Sequence, residues 1–236
     1  MGDTTLWSLI TAAVGVAVIH TVLGPDHYLP FVMLGRARHW SVRRTVGITA
    51  LFGVAHVVSS VLLGTLGLAA GVAVGRLSAW EQARGTLAAW MLVAFGVTYL
   101  SWGLRRAVRR RTGIEPHDHG GHVHLHRHGA DPHRHADPAA PYTGPTFWSL
   151  LAIFVLGPCE PLIPLFVLPA SRGDWAAAAW TALAFGIATV VAMVAATLVG
   201  LAGLRPWLTA RLARFSHAMA GAVIAASGLA ILFLGL

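Results

Sequence analysis

Apolar segments of about 20 residues recur along the whole of this 236-residue chain. A helix needs roughly that length to cross the hydrocarbon core of a bilayer. The mean hydropathy is +0.67 and only 11% of the residues are charged, whereas a soluble domain carries about 25%. The sequence therefore predicts an all-α integral membrane protein whose surroundings are the lipid bilayer.

Six membrane spans are predicted, and two of them are interrupted by a Gly-Pro pair. Gly24 and Pro25 interrupt the first span, and Gly157 and Pro158 interrupt the fourth. Each break frees backbone groups that protein, water or a ligand must satisfy inside a membrane. The predicted spans cover residues 5–34, 45–75, 86–104, 146–170, 176–203 and 212–236.

A polar segment divides these spans into two groups of three. The predicted domains are a first three-helix repeat at 1–104, a disordered loop at 105–145 and a second three-helix repeat at 146–236. Because each repeat has an odd number of spans, the second must be inverted relative to the first. Interrupted helices in matching positions of inverted repeats predict a binding site near the bilayer midplane.

The basic residues, all of them arginines, predict the orientation of the chain. Of the 17 arginines, 14 fall in segments on one side of the predicted spans and 3 on the other. Positively charged loops stay in the cytoplasm. We therefore expect a bacterial-type inner membrane protein with both termini outside and the 105–145 loop inside. A pI near 11.4 would suggest nucleic-acid binding in a soluble protein. Here the arginines lie in the segments between membrane spans, so we expect no nucleic-acid binding.

The two breaks also share a motif that carries an acid. The segments LGPDHYLPFVML (23–34) and LGPCEPLIPLFVL (156–168) both begin with Leu-Gly-Pro, and Asp26 or Glu160 follows at once. Two independent proline kinks would be the plainer interpretation, but kinks alone do not explain the acids. Among the nine acids, we expect only these two to lie within spans, with no arginine there to pair with them.

Nitrogen and sulfur ligands lie near both acids in the sequence. Imidazole, carboxylate and thiolate together suit late first-row ions such as Ni²⁺, Co²⁺ or Zn²⁺. On a straight helix His20 and His27 would lie about 10 Å apart, and unwinding at the Gly-Pro pair would bring both toward one ion. The predicted metal ligands are His20, Asp26, His27, His56, Cys159 and Glu160.

Several of these residues also fit a purely structural role. His20 and His56 could each form a hydrogen bond between helices, as polar residues in membrane spans often do. Cys159 could be a small buried apolar residue, which is the usual state of a free cysteine. Asp26 beside His27 at a helix break is harder to explain without a ligand.

The central loop is rich in histidine. Residues 117–135 read HDHGGHVHLHRHGADPHRH, a composition that cannot build a core and is typical of loose metal binding. A solvated or pH-sensitive linker is the alternative. The predicted metal-collecting residues are His117, His119, His122, His124, His126, His128, His133 and His135.

Two motifs resemble those of nickel/cobalt transporters. HTVLGPDH (20–27) resembles their H-x₄-D-H signature, with the spacing of five seen in the NicO and UreH-like branch of the LysE-like superfamily. FGVAHVVSS (52–60) resembles the second motif of that group. The resemblance implies a metal site at His20, Asp26, His27 and His56. LGPCEPLIP (156–164) matches a further motif of the family only in Leu-Gly and an acid.

The same LGPCEPLIP segment resembles the S-P-C-x-L-P-x-x-P stretch of membrane thiol-redox proteins related to DsbD. Those proteins relay electrons between two cysteines, one in each half. Here Asp26 occupies the matching position of the first half, and Cys159 is the one cysteine of the sequence. A thiol relay within this chain is therefore impossible, and we interpret the resemblance as kinship of fold.

The sequence thus predicts a secondary permease for a divalent metal ion, most simply Ni²⁺ or Co²⁺ with Zn²⁺ as a further candidate. Efflux is slightly favoured over uptake because of the cytoplasmic histidines. No P-loop pattern is present, no permanent cofactor or enzymatic activity is expected, and protons are the natural coupling partner. The alternatives are a thiol-redox protein, a metal-sensing or nickel-enzyme accessory protein without transport, and an exporter of small organic solutes.

Overall fold

The computed structural model describes residues 3–109, 114–118, 123–127, 144–157, 159, 161–203 and 215–234. A 3₁₀ turn at Pro25–His27 joins the first two helices. The helices are α1 (Asp3–Leu23), α2 (Leu29–Ala37), α3 (Val42–Ala69), α4 (Val74–Arg109), α5 (Pro145–Leu156), α6 (Leu162–Ser171), α7 (Trp175–Gly203) and α8 (Ser216–Leu234). The strands are β1 (Ile114–Asp118) and β2 (Val123–Arg127).

Within these ranges, five helices are long and apolar enough to cross a membrane, namely α1, α3, α4, α7 and α8. The prediction of a multi-pass membrane protein is confirmed. The predicted fourth span is instead two shorter apolar helices, α5 and α6, which lie on either side of the break at Gly157. The long helices carry large apolar side chains on their outer faces, such as Leu66 and Val199.

Two short paired strands lie within the central segment 105–145, which is predicted from the sequence as a disordered loop, while the other described elements are helical as predicted. β1 pairs antiparallel with β2, and His117 lies opposite His124. The sequence VHLHR (123–127) alternates apolar and polar residues, the period of a strand. The sequence analysis missed this period because it treated the histidines as an unstructured metal-binding tract.

α3 lies at the centre of the bundle, where α5, α6 and α7 pack against it. Three aromatic rings join its middle to its neighbours: Phe52 on α3, Phe31 on α2 and Phe154 on α5. Their ring centres lie 5.0 to 5.4 Å apart, mostly edge to face. This geometry is favourable for aromatic pairs. The three rings form an apolar aromatic cluster. His56 lies one helical turn after Phe52 on α3 and so lies next to this cluster.

α4 is longer than the predicted third span, because it begins at Val74 and not near residue 86. Its added length carries Glu81, which is fully buried, and Arg84, whose Nη1 lies 2.6 Å from Glu81 Oε1. The expectation that only Asp26 and Glu160 would lie within spans, without an arginine, is therefore wrong. An acid and a base three residues apart on a helix neutralise each other, so the charges do not end the buried segment.

Small residues let α4 and α8 pack backbone against backbone. A methyl group added at Gly221 of α8 would overlap the backbone of Leu100, and one at Gly96 of α4 would overlap the backbone of Ala225. At Gly228 it would lie 2.8 Å from the carbonyl oxygen of Ala89. Small residues at such seams are typical of membrane helices, whose association depends on close van der Waals packing.

We expect Gly221→Ala to lower the free energy of unfolding by about 1–3 kcal/mol, the usual cost of overpacking a tight site. The measurement is denaturant or thermal unfolding in detergent micelles. Gly15→Ala is the matched control, because a methyl group there meets nothing within 4 Å. Equal stabilities for the two variants would contradict the close seam between α4 and α8.

Candidate metal centre

The first helix break brings two histidines together. Proline at position 25 has no N–H and disfavours helical backbone at the residue before it, so α1 ends at Leu23 and the chain turns through Pro25–His27. The ring centres of His20 and His27 are 4.9 Å apart, about half the separation expected on a straight helix. The break therefore shortens the distance between two imidazoles.

A third imidazole comes from the middle of α3. The ring centres of His27 and His56 are 5.2 Å apart and the rings are nearly perpendicular. One ring nitrogen from each of His20, His27 and His56 lies within 4.8 Å of the other two. Both His27 and His56 are only 3% exposed. Three elements thus direct imidazole rings at one buried point.

Backbone carbonyls fix the protonation of two of these rings. His27 Nδ1 lies 3.2 Å from the carbonyl oxygen of Gly24, and His56 Nδ1 lies 3.2 Å from that of Phe154. A carbonyl oxygen only accepts hydrogen bonds, so each Nδ1 must carry the proton and donate it. In a neutral imidazole this leaves Nε2 as a bare lone pair, the form that binds metals.

Among the residues that the structure describes, the Nε2 atoms of all three histidines are buried and have no hydrogen-bond partner. A buried polar atom left without a partner costs about 1–3 kcal/mol, and most such atoms in native proteins are satisfied. Three together at one point indicate a missing common partner. A transition-metal cation would satisfy all three lone pairs at once.

Asp26 completes the pattern expected around a metal-binding histidine. Its Oδ1 lies 3.2 Å from His27 Nδ1, so the Nδ1–H of His27 is shared between this carboxylate and the Gly24 carbonyl. Histidine ligands of metals usually donate their other N–H to a carboxylate or carbonyl, which orients the ring and raises its basicity. Asp26 thus supports His27 from behind, on the ring edge away from Nε2.

Glycine at each break lets a ring approach the backbone. A methyl group at Gly24 would lie 2.6 Å from His27 Nδ1, and one at Gly157 would lie 3.3 Å from His56 Nδ1. The first distance is shorter than any normal contact, and the second is only tight. The shared Leu-Gly-Pro motif therefore serves the same purpose twice, because it provides both a helix break and room for an imidazole.

The three rings border a small cavity of about 40 Å³. Its other walls are mostly apolar and come from α4, α5 and α8. A cavity of this size has room for at least one water-sized molecule. An ion held by three imidazoles would therefore have room for one small additional ligand, as in zinc sites that keep a fourth position open.

Cys159 is not gathered at this point, and most of the other predicted ligands lie outside the described residues. Cys159 is fully buried in a separate apolar cluster with Leu162 and Ile163. Pro158 and Glu160 lie outside the described residues. Of the loop histidines, His117, His124 and His126 lie in the paired strands. The other five, His119, His122, His128, His133 and His135, lie outside the part of the chain that the structure describes.

The sequence analysis missed the polar groups behind His56. Arg84 Nη2 donates to the carbonyl oxygen of Val155 at 2.6 Å and to Ser59 Oγ at 3.2 Å. Ser59 Oγ in turn donates to the carbonyl oxygen of His56 at 2.8 Å. The signal that could have found them is the Glu81–Arg84 pair, an acid and a base one turn apart inside a mainly apolar segment.

Comparison with protein families gives a match over most of the chain. The family model described as the cytochrome c biogenesis protein transmembrane region matches residues 29–230. The chain belongs to this family. Comparison with curated proteins and with solved structures gives no match.

This family membership corrects two predictions. The assignment to nickel/cobalt transporters of the NicO and UreH-like type is wrong, and so is the nickel/cobalt permease function that followed from it. The resemblance rested on HTVLGPDH (20–27), which lies before the matched residues, and on FGVAHVVSS (52–60), which lies within them. Histidine and aspartate at a helix break are the ligand types of many metal sites, so the motif did not distinguish the family.

We expect Gly24→Ala to displace the His27 ring and to weaken binding of Zn²⁺ by purified protein about tenfold or more, the scale found when support of a metal ligand is lost. Gly157→Ala should have a smaller effect, because its methyl group is less crowded. Gly47→Ala, where a methyl group meets nothing within 4 Å, should bind Zn²⁺ as wild type does. An unchanged affinity in Gly24→Ala would contradict the close approach of ring and backbone.

Proposed function

We propose that this protein is an accessory membrane protein of the cytochrome c biogenesis type that holds a transition-metal ion at His20, His27 and His56. The observation that carries the proposal is the convergence of three histidines, each with a ring nitrogen within 4.8 Å of the others and a buried Nε2 that has no partner among the described residues. In this proposal the protein binds and presents the ion and is not itself an enzyme.

The ligand set favours copper or zinc. Imidazole suits both metals, and the absence of a thiolate from the three-histidine cluster removes the strongest preference for a soft ion. Nitrogens around a tetrahedral zinc ion lie roughly 3.4 Å apart, so small ring rotations from the observed spacing would close the site. The carboxylate of Asp26 would offset part of the ion's charge in apolar surroundings.

The family match supports a place in cytochrome c biogenesis but not a dithiol mechanism of the chain's own. The sequence has one cysteine, so it offers no second thiol with which Cys159 could form an internal disulfide. The match covers His56 but begins after His20 and His27. This supports the idea that the metal site is a feature of this chain in addition to the features that the family match describes.

Thiol exchange with another protein is the second candidate, and the observation in its favour is the family match, whose residues 29–230 include Cys159. The Cys159 thiolate would attack a disulfide of a partner protein, form a mixed disulfide and release the partner's second sulfur as a thiolate. Cys159 is fully buried, so the segment between α5 and α6 would have to open first.

We also propose that the membrane helices form two inverted repeats. The helix contacts support it: α3 packs on α7 and α4 on α8, while α1 packs on α7 much as α5 and α6 pack on α3. The arginine distribution, 14 against 3, supports an orientation with both termini outside and the histidine-rich segment in the cytoplasm of a bacterial-type inner membrane.

We expect the purified protein to lose one tightly bound Zn²⁺ equivalent when His27 or His56 is changed to alanine. Equilibrium dialysis with metal analysis measures the stoichiometry. The loop histidines would add a weaker background, so the comparison is repeated with all eight changed to asparagine, which should keep the tight equivalent. His39→Asn is the control, because His39 is exposed, lies outside the cluster and has a positive φ that asparagine tolerates.

The membrane site would be contradicted if the tightly bound Zn²⁺ were lost when the loop histidines are changed and kept when His27 or His56 is changed to alanine.

Covalent haem attachment to c-type cytochromes in the native host separates the two candidate functions. A gene deletion is complemented with wild type, His56→Ala, Cys159→Ala or His39→Asn, and haem-stained cytochromes are quantified. We expect His56→Ala to resemble the deletion and Cys159→Ala to resemble wild type. The reverse pattern would support thiol exchange, and normal cytochromes in the deletion itself would contradict a role in their biogenesis.

A further inference from the structure

An ion pair whose carboxylate is fully buried and whose guanidinium is 19% exposed lies behind the three-histidine site. Glu81 is fully buried on α4, and Arg84 Nη1 lies 2.6 Å from its Oε1. Ser60 Oγ donates to the other carboxylate oxygen at 3.5 Å. A buried ion pair is on average little better for stability than apolar residues of similar size. Its presence in an apolar bundle therefore calls for a role other than stability.

Arg84 uses its other nitrogen to hold the broken end of α5. Nη2 donates to the carbonyl oxygen of Val155 at 2.6 Å and to Ser59 Oγ at 3.2 Å. The guanidinium thus joins α4, α3 and the last turn of α5. Its rigid fork, with donors in fixed directions, suits such a three-way contact better than a single ammonium group would.

The last turn of α5 needs these donors because the helix ends there. The N–H of Gly157 still bonds to the carbonyl of Ile153. The carbonyl of Phe154 would next require an N–H from residue 158, which is a proline and has none. Arg84 satisfies the Val155 carbonyl, and the Phe154 carbonyl is left free to accept from His56.

These contacts reach His56 from two directions. The Phe154 carbonyl accepts the Nδ1–H of His56, and Ser59, itself bonded to Arg84, donates to the His56 backbone carbonyl. If the end of α5 moved, His56 would lose the acceptor that keeps the proton on Nδ1. Its Nε2 would then take the proton in part and would bind a metal less well.

We propose that Arg84, neutralised by Glu81, is a positioning residue that fixes the tautomer and direction of His56 by holding the broken end of α5. The inference deepens the proposed function, since it assigns the part of the protein that prepares one ligand of the same metal site. Arg84 is not a ligand itself.

The decisive variant is the double change Glu81→Met with Arg84→Met. It removes both charges together, so neither is left buried and unpaired, and apolar replacement of such pairs is commonly tolerated. Arg84→Lys is the conservative variant, and Arg76→Met is the control for loss of an exposed arginine on the same helix. Thermal unfolding of the metal-free proteins verifies that each variant is folded.

The first readout is ¹⁵N NMR of the histidine rings in metal-free full-length protein. Wild type and Arg76→Met should show His56 with its proton on Nδ1, and the double variant should shift His56 toward the other tautomer. Arg84→Lys should lie between them. An unchanged His56 signature in a folded double variant would overturn the proposal, whether or not the site binds metal.

The second readout is the affinity for Zn²⁺, measured on the same proteins. We expect a loss of about 10- to 100-fold in the double variant, the range for supporting groups around metal ligands, with partial recovery in Arg84→Lys. Unchanged affinity would overturn the proposal. If wild type bound no Zn²⁺ at this site, the proposed function would fail, while the NMR result would still decide the role of Arg84.

Discussion

The metal centre depends on the hydrogen bonds between imidazole rings and the carbonyls exposed at two broken helices. Inside a membrane a freed carbonyl must find a donor. At Phe154 that donor is the Nδ1–H of His56, and at Gly24 the carbonyl accepts both the backbone N–H and the Nδ1–H of His27. The same bond satisfies the backbone and keeps Nε2 unprotonated. The breaks therefore do more than bend the chain, since each one prepares a ligand.

The packing of the bundle supports this arrangement from several sides. The aromatic cluster of Phe31, Phe52 and Phe154 lies next to His56. Glycines at the contact between α4 and α8 let these two helices pack closely. α4 carries both a wall of the small cavity and the Glu81–Arg84 pair. The oppositely charged side chains of Glu81 and Arg84 thus support a site made of three neutral imidazole ligands.

The sequence predicted the parts of this site that depend on local chemistry. A Gly-Pro pair favours a helix break, so the breaks and the approach of His20 to His27 could be inferred from spacing, although Pro169 lies inside α6 without breaking it. The position of Cys159 could not, because its separation from the histidines depends on how α5 and α6 pack. The length of α4 was missed because charges usually end a membrane span, and here Glu81 and Arg84 neutralise each other. The motif HTVLGPDH (20–27) pointed to the wrong family, whereas LGPCEPLIP (156–164), interpreted from the sequence only as kinship of fold, pointed toward the family that matches.

X-ray absorption at the zinc edge, on purified protein with the loop histidines changed to asparagine and one equivalent of Zn²⁺ added, tests the central claim most directly. We predict a first shell of nitrogen and oxygen at about 2.0–2.1 Å, with outer-shell scattering from three imidazole rings and no sulfur. The imidazole scattering should weaken in His56→Ala. A sulfur neighbour, which would place Cys159 on the ion, or a shell of water alone would contradict the account.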